Sequence, residues 1–275
     1  MSDKSAIGDW TSATWPELAR RDLSASIAVL PLGATEQHGP HLPLGTDTMI
    51  AEAYLARVRQ LLGAGGPVLI LPVQPIGVST EHCAFPGTLS LPAELALRNW
   101  TEIGAQLARV GLRKLVIVTS HGGNSAAMTI VAQDLRVQHD LFVVTTAWSR
   151  FGVPVGLFPD AEIRHGIHGG AIETSIMLAA RPDLVRIDKI AAFASKAAAM
   201  ERDYKWLRAE RPAPFAWAAQ DLNLLGATGD ATLASAEKGR AVIDHGARAF
   251  CELLDDVARF DITGLLPGPD GDVSA

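Results

Sequence analysis

Apolar residues along the chain come in two rhythms. Short, near-continuous runs at Ile27–Leu32, Val68–Val73, Leu115–Thr119 and Phe142–Thr146 are rich in Val, Ile and Leu, the pattern of strands buried on both faces. Longer stretches at Met49–Leu62, Ala93–Val110, Ser125–Gln138, Ile172–Ala180 and Ser235–Val257 read as helices. The two kinds alternate, which predicts an α/β chain whose mostly parallel central sheet is covered by helices on both faces. One stretch departs from this pattern. Glu201–Leu225 follows a short Ala-rich helical segment and carries Tyr204, Trp206, Phe215 and Trp217 among prolines 212 and 214. It reads as a helix and loop that covers a site or packs on a neighbouring subunit. Aromatics concentrate at interfaces and also fill small satellite cores, so both readings stay open.

Composition narrows the class. At 275 residues and 48% hydrophobic content the chain can bury a full core, and we expect residues 1–275 to form a single domain. A net charge of −6 without a basic run argues against nucleic acid or an anionic membrane as partner. No apolar run approaches the length of a membrane span. Cys83 and Cys251 lie far apart and read as reduced thiols, and the polar start Met1–Asp9 lacks a signal-peptide pattern; both point to a cytoplasmic location.

Candidate chemistry gathers where strands end. After the first apolar run, Glu36, His38 and Asp47 fall within twelve residues of Gly, Pro and small side chains. Glu36 and His38 sit two apart, so extended backbone directs them to the same side. Asp47 stands where this loop becomes a helix. Oxygen and nitrogen donors converging from a rigid loop suit a hard or borderline divalent cation. His121 follows the strand Leu115–Thr119 and precedes Gly122-Gly123-Asn124, the usual address of ligands in open α/β sheets. The spacing of a nucleotide-binding P-loop is absent. Further on, His165 and His168 precede Gly169-Gly170, and Glu173 lies in the first turns of the next helix, where a capping role is the ordinary explanation.

These motifs resemble the creatininase (creatinine amidohydrolase) family. The matching pieces, in family order, are Glu36-Gln37-His38-Gly39-Pro40-His41-Leu42-Pro43 with Asp47, Glu81-His82 with Phe85-Pro86-Gly87-Thr88, His121-Gly122-Gly123-Asn124, His168-Gly169-Gly170 with Glu173-Thr174-Ser175, and Gly229-Asp230 with Ala234 to Gly239. The resemblance implies a three-layer creatininase-like α/β fold and a metal-dependent hydrolase of non-peptide or cyclic amide C–N bonds. By the same resemblance Glu36, His38, Asp47 and His121 match positions that bind two divalent metals, Asp47 bridging, and His168 matches a histidine that handles protons. Creatinine-cleaving members carry a tyrosine and a metal-binding glutamate where this chain has Gly122 and Gly123, and a Trp and a Glu where it has Arg164 and Ile167. Glu173 then completes the second metal site and joins His168 among the catalytic candidates. The Gly-Gly-Asn version is closer to the branch that includes the mycofactocin-precursor peptidase and formamide deformylases. A homo-oligomer, a hexamer in the family, is also implied.

The expectation is therefore hydrolysis of a small-molecule amide by water activated on a metal pair, Zn²⁺ or Mn²⁺, with Fe²⁺ compatible. Glu81, His82, Trp148, Arg164 and His165 are candidates for the substrate pocket. Two alternatives are a metallopeptidase trimming a small peptide and a non-catalytic small-molecule binding protein. The presence of all five candidate ligands weighs against the last. His41 is expected to brace its loop, His139 and His245 to lie at the surface, and Cys83 to be a packed thiol.

Overall fold

The computed structural model describes residues 8–63 and 66–265. The first seven residues of the polar start lie outside that range. Four strands, β1 (Ile27–Leu32), β2 (Val68–Ile70), β3 (Lys114–Thr119) and β4 (Phe142–Ala147), form one sheet in the order β2-β1-β3-β4, and all its pairs are parallel. The helices are α1 (Trp15–Arg20), α2 (Thr46–Leu62), α3 (Ala93–Arg109), α4 (Ser125–His139), α5 (Asp160–His165), α6 (Ala171–Ala180), α7 (Lys196–Asp203), α8 (Ala219–Leu222) and α9 (Ala236–Arg259). Two small pairings complete the list: β5 (Ala192–Phe193) with β8 (Gly229–Asp230), and β6 (Leu207–Arg208) with β7 (Ala213–Pro214).

The strands are apolar on both sides because both sides are covered. Ile27 and Val29 of β1, with Val116 and Val118 of β3, face Ile50, Tyr54 and Val58 of α2, Ile176 and Met177 of α6, and Phe250 and Leu254 of α9. The alternate residues Ala28, Leu30, Leu32, Leu115 and Ile117 face Trp100 and Leu107 of α3 and Met128, Val131 and Leu135 of α4. Side chains alternate along a strand, so one six-residue run feeds two cores. The expected three layers result.

The predicted strand Val68–Val73 stops at Ile70. Pro72 has no N–H to give a ladder, and a proline inside a strand is confined to its margins. Pro31 of β1 is tolerated for a related reason: it lies beyond the last β1–β2 ladder pair, Val29 with Ile70, while its carbonyl still accepts from Gln74 N–H at 2.9 Å. Helix α2 begins three residues earlier than its apolar pattern, at Thr46, which puts Asp47 in its first turn.

The order β2-β1-β3-β4 has a consequence for function. The chain leaves β1 toward β2 on one side and returns to β3 on the other, so the carboxyl ends of β1 and β3 flank a topological switch point. Crevices at such points are where open α/β sheets bind ligands.

Candidate metal centre

The loop after β1, the turn after β3 and the N-termini of α2 and α6 converge at that crevice. They bring Glu36, His38, Asp47, His121 and Glu173 together, with His168 beside them. Three sets of donor atoms each lie within 4.8 Å of one another: Glu36, Asp47 and His121; His38, Asp47 and Glu173; and Glu36, His38 and His168. Asp47 belongs to the first two, and its Oδ2 stands 3.6 Å from His38 Nε2 and 3.8 Å from His121 Nδ1. The arrangement has the form of two adjoining cation sites sharing one carboxylate.

The hydrogen bonds decide which ring atoms face inward. His38 Nδ1 lies 3.0 Å from the Glu36 carbonyl and His121 Nε2 lies 2.8 Å from the Val78 carbonyl. His168 Nε2 lies 2.6 Å from the Gln37 carbonyl. A carbonyl can only accept, so each of these nitrogens carries a proton, and the opposite nitrogen is the one that faces the carboxylates. Metal-binding histidines are oriented by this kind of backbone contact. Glu36 Oε1 and Oε2, His38 Nε2 and Asp47 Oδ2 are buried and make no hydrogen bond. Buried polar atoms without partners are costly, and a divalent cation would satisfy all four. The donor set fits such an ion.

Charge behaves accordingly. Burial by itself would lower the His38 imidazole, yet Asp47, Glu173 and Glu36 outweigh it and hold its pKa at about 10. For His121, burial is likewise outweighed by Glu36, Asp47 and Glu81, again giving about 10. Burial raises Asp47, and it lifts Glu173 to about 7 against the opposing pull of His38. Burial would also raise Glu36, but His121 and His38 keep it below the usual carboxylate range. Without a cation, protons on two histidines neutralise the carboxylates. His168 behaves differently: burial, then His38 and His82, push it well below its ordinary value, so it stays neutral with Nδ1 3.8 Å from Glu36 Oε1.

Around this set stand side chains whose roles could not be read from their types. Gln37 accepts from Gly39 N–H through Oε1 at 2.9 Å, which leaves its two amide hydrogens for the Gly226 carbonyl at 2.9 Å and His82 Nδ1 at 2.8 Å. His82 therefore carries its proton on Nε2, 3.3 Å from Glu36 Oε1, and burial holds its pKa at about 3. That N–H lies beside the Glu36 carboxylate without forming an aligned hydrogen bond to it. The 3.2 Å approach of Gln37 Nε2 to His168 Nε2 joins two donors and is only a contact. Asn124 accepts from Val78 N–H and donates to the Gly33 carbonyl, tying the β1 and β3 loops together. The one available signal for Gln37 and Asn124 was their place inside the metal-site motifs.

Of the pocket candidates, Glu81 and His82 lie at the centre, Glu81 Oε1 being 3.6 Å from His121 Nε2. Trp148 does not. Its ring is buried in the core, stacked on Tyr54 at 4.4 Å and packed on Phe250, which removes it from the cavity wall. Arg164 and His165 turn outward to Glu201 of α7, His165 Nε2 at 2.8 Å and Arg164 at 3.8 Å. A side chain on Gly123 would run into Val78 O at 2.5 Å and Glu81 Oε1 at 2.6 Å, so no donor can come from there; Glu173 is the carboxylate that stands by His38 instead, at 3.9 Å. His41 is buried, hydrogen-bonded to Thr174 Oγ1 at 2.9 Å and stacked on Phe193, which braces its loop. His245 is half-buried, 3.0 Å from the Phe151 carbonyl, where a surface position was expected. Cys83 is exposed, not packed. In the Glu201–Leu225 segment, Phe215 and Trp217 fill a satellite core with Ala197, Ala209 and Leu222, while Tyr204 and Trp206 are exposed.

A sequence model of the family described as creatininase, creatinine amidohydrolase, matches residues 11–254. The chain belongs to the creatininase family. It is thus a creatininase-family hydrolase. Among its relatives, the mycofactocin precursor peptide peptidase of Mycobacterium ulcerans is 35% identical over 94% of this chain and 89% of that protein. The creatinine amidohydrolase of Pseudomonas putida is 32% identical over 69% of this chain and 77% of that protein. A solved structure of a manganese form of creatininase superposes with a TM-score of 0.73 at 25% identity, over 92% of this chain and all of that one. No helix among the described residues is long and apolar enough to cross a membrane.

Proposed function

We propose that this chain hydrolyses an amide C–N bond at a centre of two divalent cations. Glu36, Asp47 and His121 hold one ion, and His38, Asp47 and Glu173 hold the other. The observation that carries this reading is the buried quartet of Glu36 Oε1 and Oε2, His38 Nε2 and Asp47 Oδ2, which make no hydrogen bond and stand among imidazoles whose remaining nitrogens face inward. Likeness to a manganese creatininase supports it. Bound, such a pair would polarise a carbonyl and lower the pKa of water.

The chain's own residues supply the rest. His168 is neutral and held by the Gln37 carbonyl, and its Nδ1 is free to take a proton from water and pass it to the departing nitrogen. His82, locked by Gln37, steadies the Glu36 carboxylate. Asp47 and Glu173 lie in the first turns of α2 and α6, where the helix dipoles favour negative charge.

Of the substrate classes left open by the sequence, trimming of a small peptide is favoured by one observation. The mycofactocin precursor peptide peptidases of Mycobacterium ulcerans and Mycobacterium tuberculosis match along 94–96% of this chain and that of Mycolicibacterium smegmatis along 60%, at 34–36% identity, against 32% identity along 69% for the creatinine amidohydrolase. The test is a screen of short peptides, formamides and cyclic amides, creatinine among them, with metal-loaded and chelator-treated protein. The expected result is metal-dependent peptide cleavage and negligible turnover of creatinine. Turnover indifferent to chelation would overturn the metal reading; creatinine turnover of ordinary size, around ten per second, would overturn the peptide reading.

A further inference from the structure

Glu162 lies outside every motif discussed so far, yet it is one of the most constrained carboxylates in the fold. It sits on α5 at 5% exposure. Its Oε1 accepts from Ala171 N–H, the first residue of α6, at 2.6 Å, and its Oε2 accepts from Asp230 N–H of β8 at 2.7 Å. Gly166, Gly170 and Gly229 press so closely on it that a Cβ at any of the three would collide with a carboxylate oxygen. One side chain thus joins α5, the start of α6 and the distant β8.

The turn enclosed by those segments carries two site residues. Gly166–Gly170 runs from the end of α5 to the start of α6 and contains His168; its backbone is also fixed by Thr228 N–H donating to the His168 carbonyl at 2.7 Å. Glu173 follows in the first turn of α6, and its Oε2 accepts from Gly169 N–H at 2.6 Å. Glu36, Asp47 and His121 come instead from the β1 loop, α2 and the β3 turn, none of which Glu162 hydrogen-bonds. We infer that Glu162 is a positioning residue for half of the site: it sets the placement of His168 and Glu173, and through Glu173 the cation site of His38, Asp47 and Glu173. It does so without touching the ligands. This rests on the two-cation reading above for its metal consequence, but not for the clamp itself.

A carboxylate is required because both its partners are donors. Glu162→Gln keeps the shape but must turn its NH₂ toward one of the two backbone N–H groups, so one bond becomes a donor–donor contact. Two measurements on the same preparation test the inference. In the metal-free protein, amide exchange in residues 166–173 should speed up at least tenfold while the β3 turn at 119–124 keeps its protection. In Mn²⁺ titrations of the full chain, one of two equivalents should weaken at least tenfold and the other stay within twofold. Unchanged local exchange, or a rise spread over the whole chain, overturns the clamp. Local exchange with both affinities unchanged, or both weakened alike, makes Glu162 a structural cap and overturns its role at the site. If the parent protein takes up no Mn²⁺, the two-cation reading falls while the exchange data still decide the clamp. Should Glu162→Gln fail to fold, Glu162→Asp keeps the charge, draws the oxygens back by one methylene, and is read in the same two ways.

Discussion

Replacing Asp47 with asparagine should separate the metal centre from the fold that carries it. Asp47 Oδ2 is buried without a hydrogen bond and faces both His38 Nε2 at 3.6 Å and His121 Nδ1 at 3.8 Å. In metal-free protein, Asp47→Asn removes a carboxylate that burial already drives toward its protonated form. The change in stability should stay within about 1–3 kcal/mol, the range for a buried polar group. Metal tells the two proteins apart. At a free ion concentration of about 100 times the parent's Kd, each ion stabilises the parent by about 2.7 kcal/mol. For a chain of this size that is a rise of roughly 5–10 °C in Tm per ion. Loss of a direct ligand from both sites should weaken binding by about a hundredfold or more, at or beyond the upper end of the cost of losing an outer partner. The same concentration is then only about the variant's Kd, and the gain falls to about 0.4 kcal/mol per ion, a degree or two. Thermal unfolding of chelator-treated parent and variant, with and without Mn²⁺ or Zn²⁺, reads this directly. Equal metal-induced shifts in the two proteins would refute the assignment of Asp47 as the shared ligand.

Three further outcomes follow from the same geometry. His168→Ala should keep its metal and lose activity by roughly a hundredfold or more; loss of metal from that variant would make His168 a ligand. Because His38 and His121 are held near pKa 10, both are protonated at pH 7 in metal-free protein, and metal uptake should release at least two protons, with a further share from Glu173 at about 7, measurable by calorimetry in buffers of different ionisation enthalpy. The sign for the metal-free fold is set by folded values above the unfolded imidazole value of about 6.5: the stabilisation is fully present below that pH and is lost as pH rises through about 10, while metal affinity rises over the same range. At the opposite end of the sheet, Lys114 Nζ donates to the Val257, Ala258 and Phe260 carbonyls at 2.7–2.9 Å, so Lys114→Met should lose about 1.5–3 kcal/mol in urea unfolding and leave metal uptake unchanged.

The convergence of the candidate donors was legible because their chemistry is written in residue type and place. A carboxylate or an imidazole at the end of an apolar strand has few structural uses, and Glu36 and His121 sit at such ends. The layers were legible because strands buried on both sides lack polar alternation. What escaped reading depends on direction, which sequence does not carry. Trp148 follows a strand just as a pocket residue would, but its ring turns into the core against Tyr54. Arg164 and His165 are three or four residues from His168, yet they lie on α5 and point to Glu201. Gln37, His82, Asn124 and Glu162 work through backbone groups or through side chains of other segments, and those partners are brought near only by the fold.

Two cations sharing Asp47 should be visible in anomalous scattering from crystals of the chain grown with Mn²⁺ or Zn²⁺. Two peaks are expected about 3.5–4 Å apart, one among Glu36, Asp47 and His121, the other among His38, Asp47 and Glu173, with Asp47 touching both. A single peak that Asp47 does not reach, or none in this crevice at saturating metal, would contradict it.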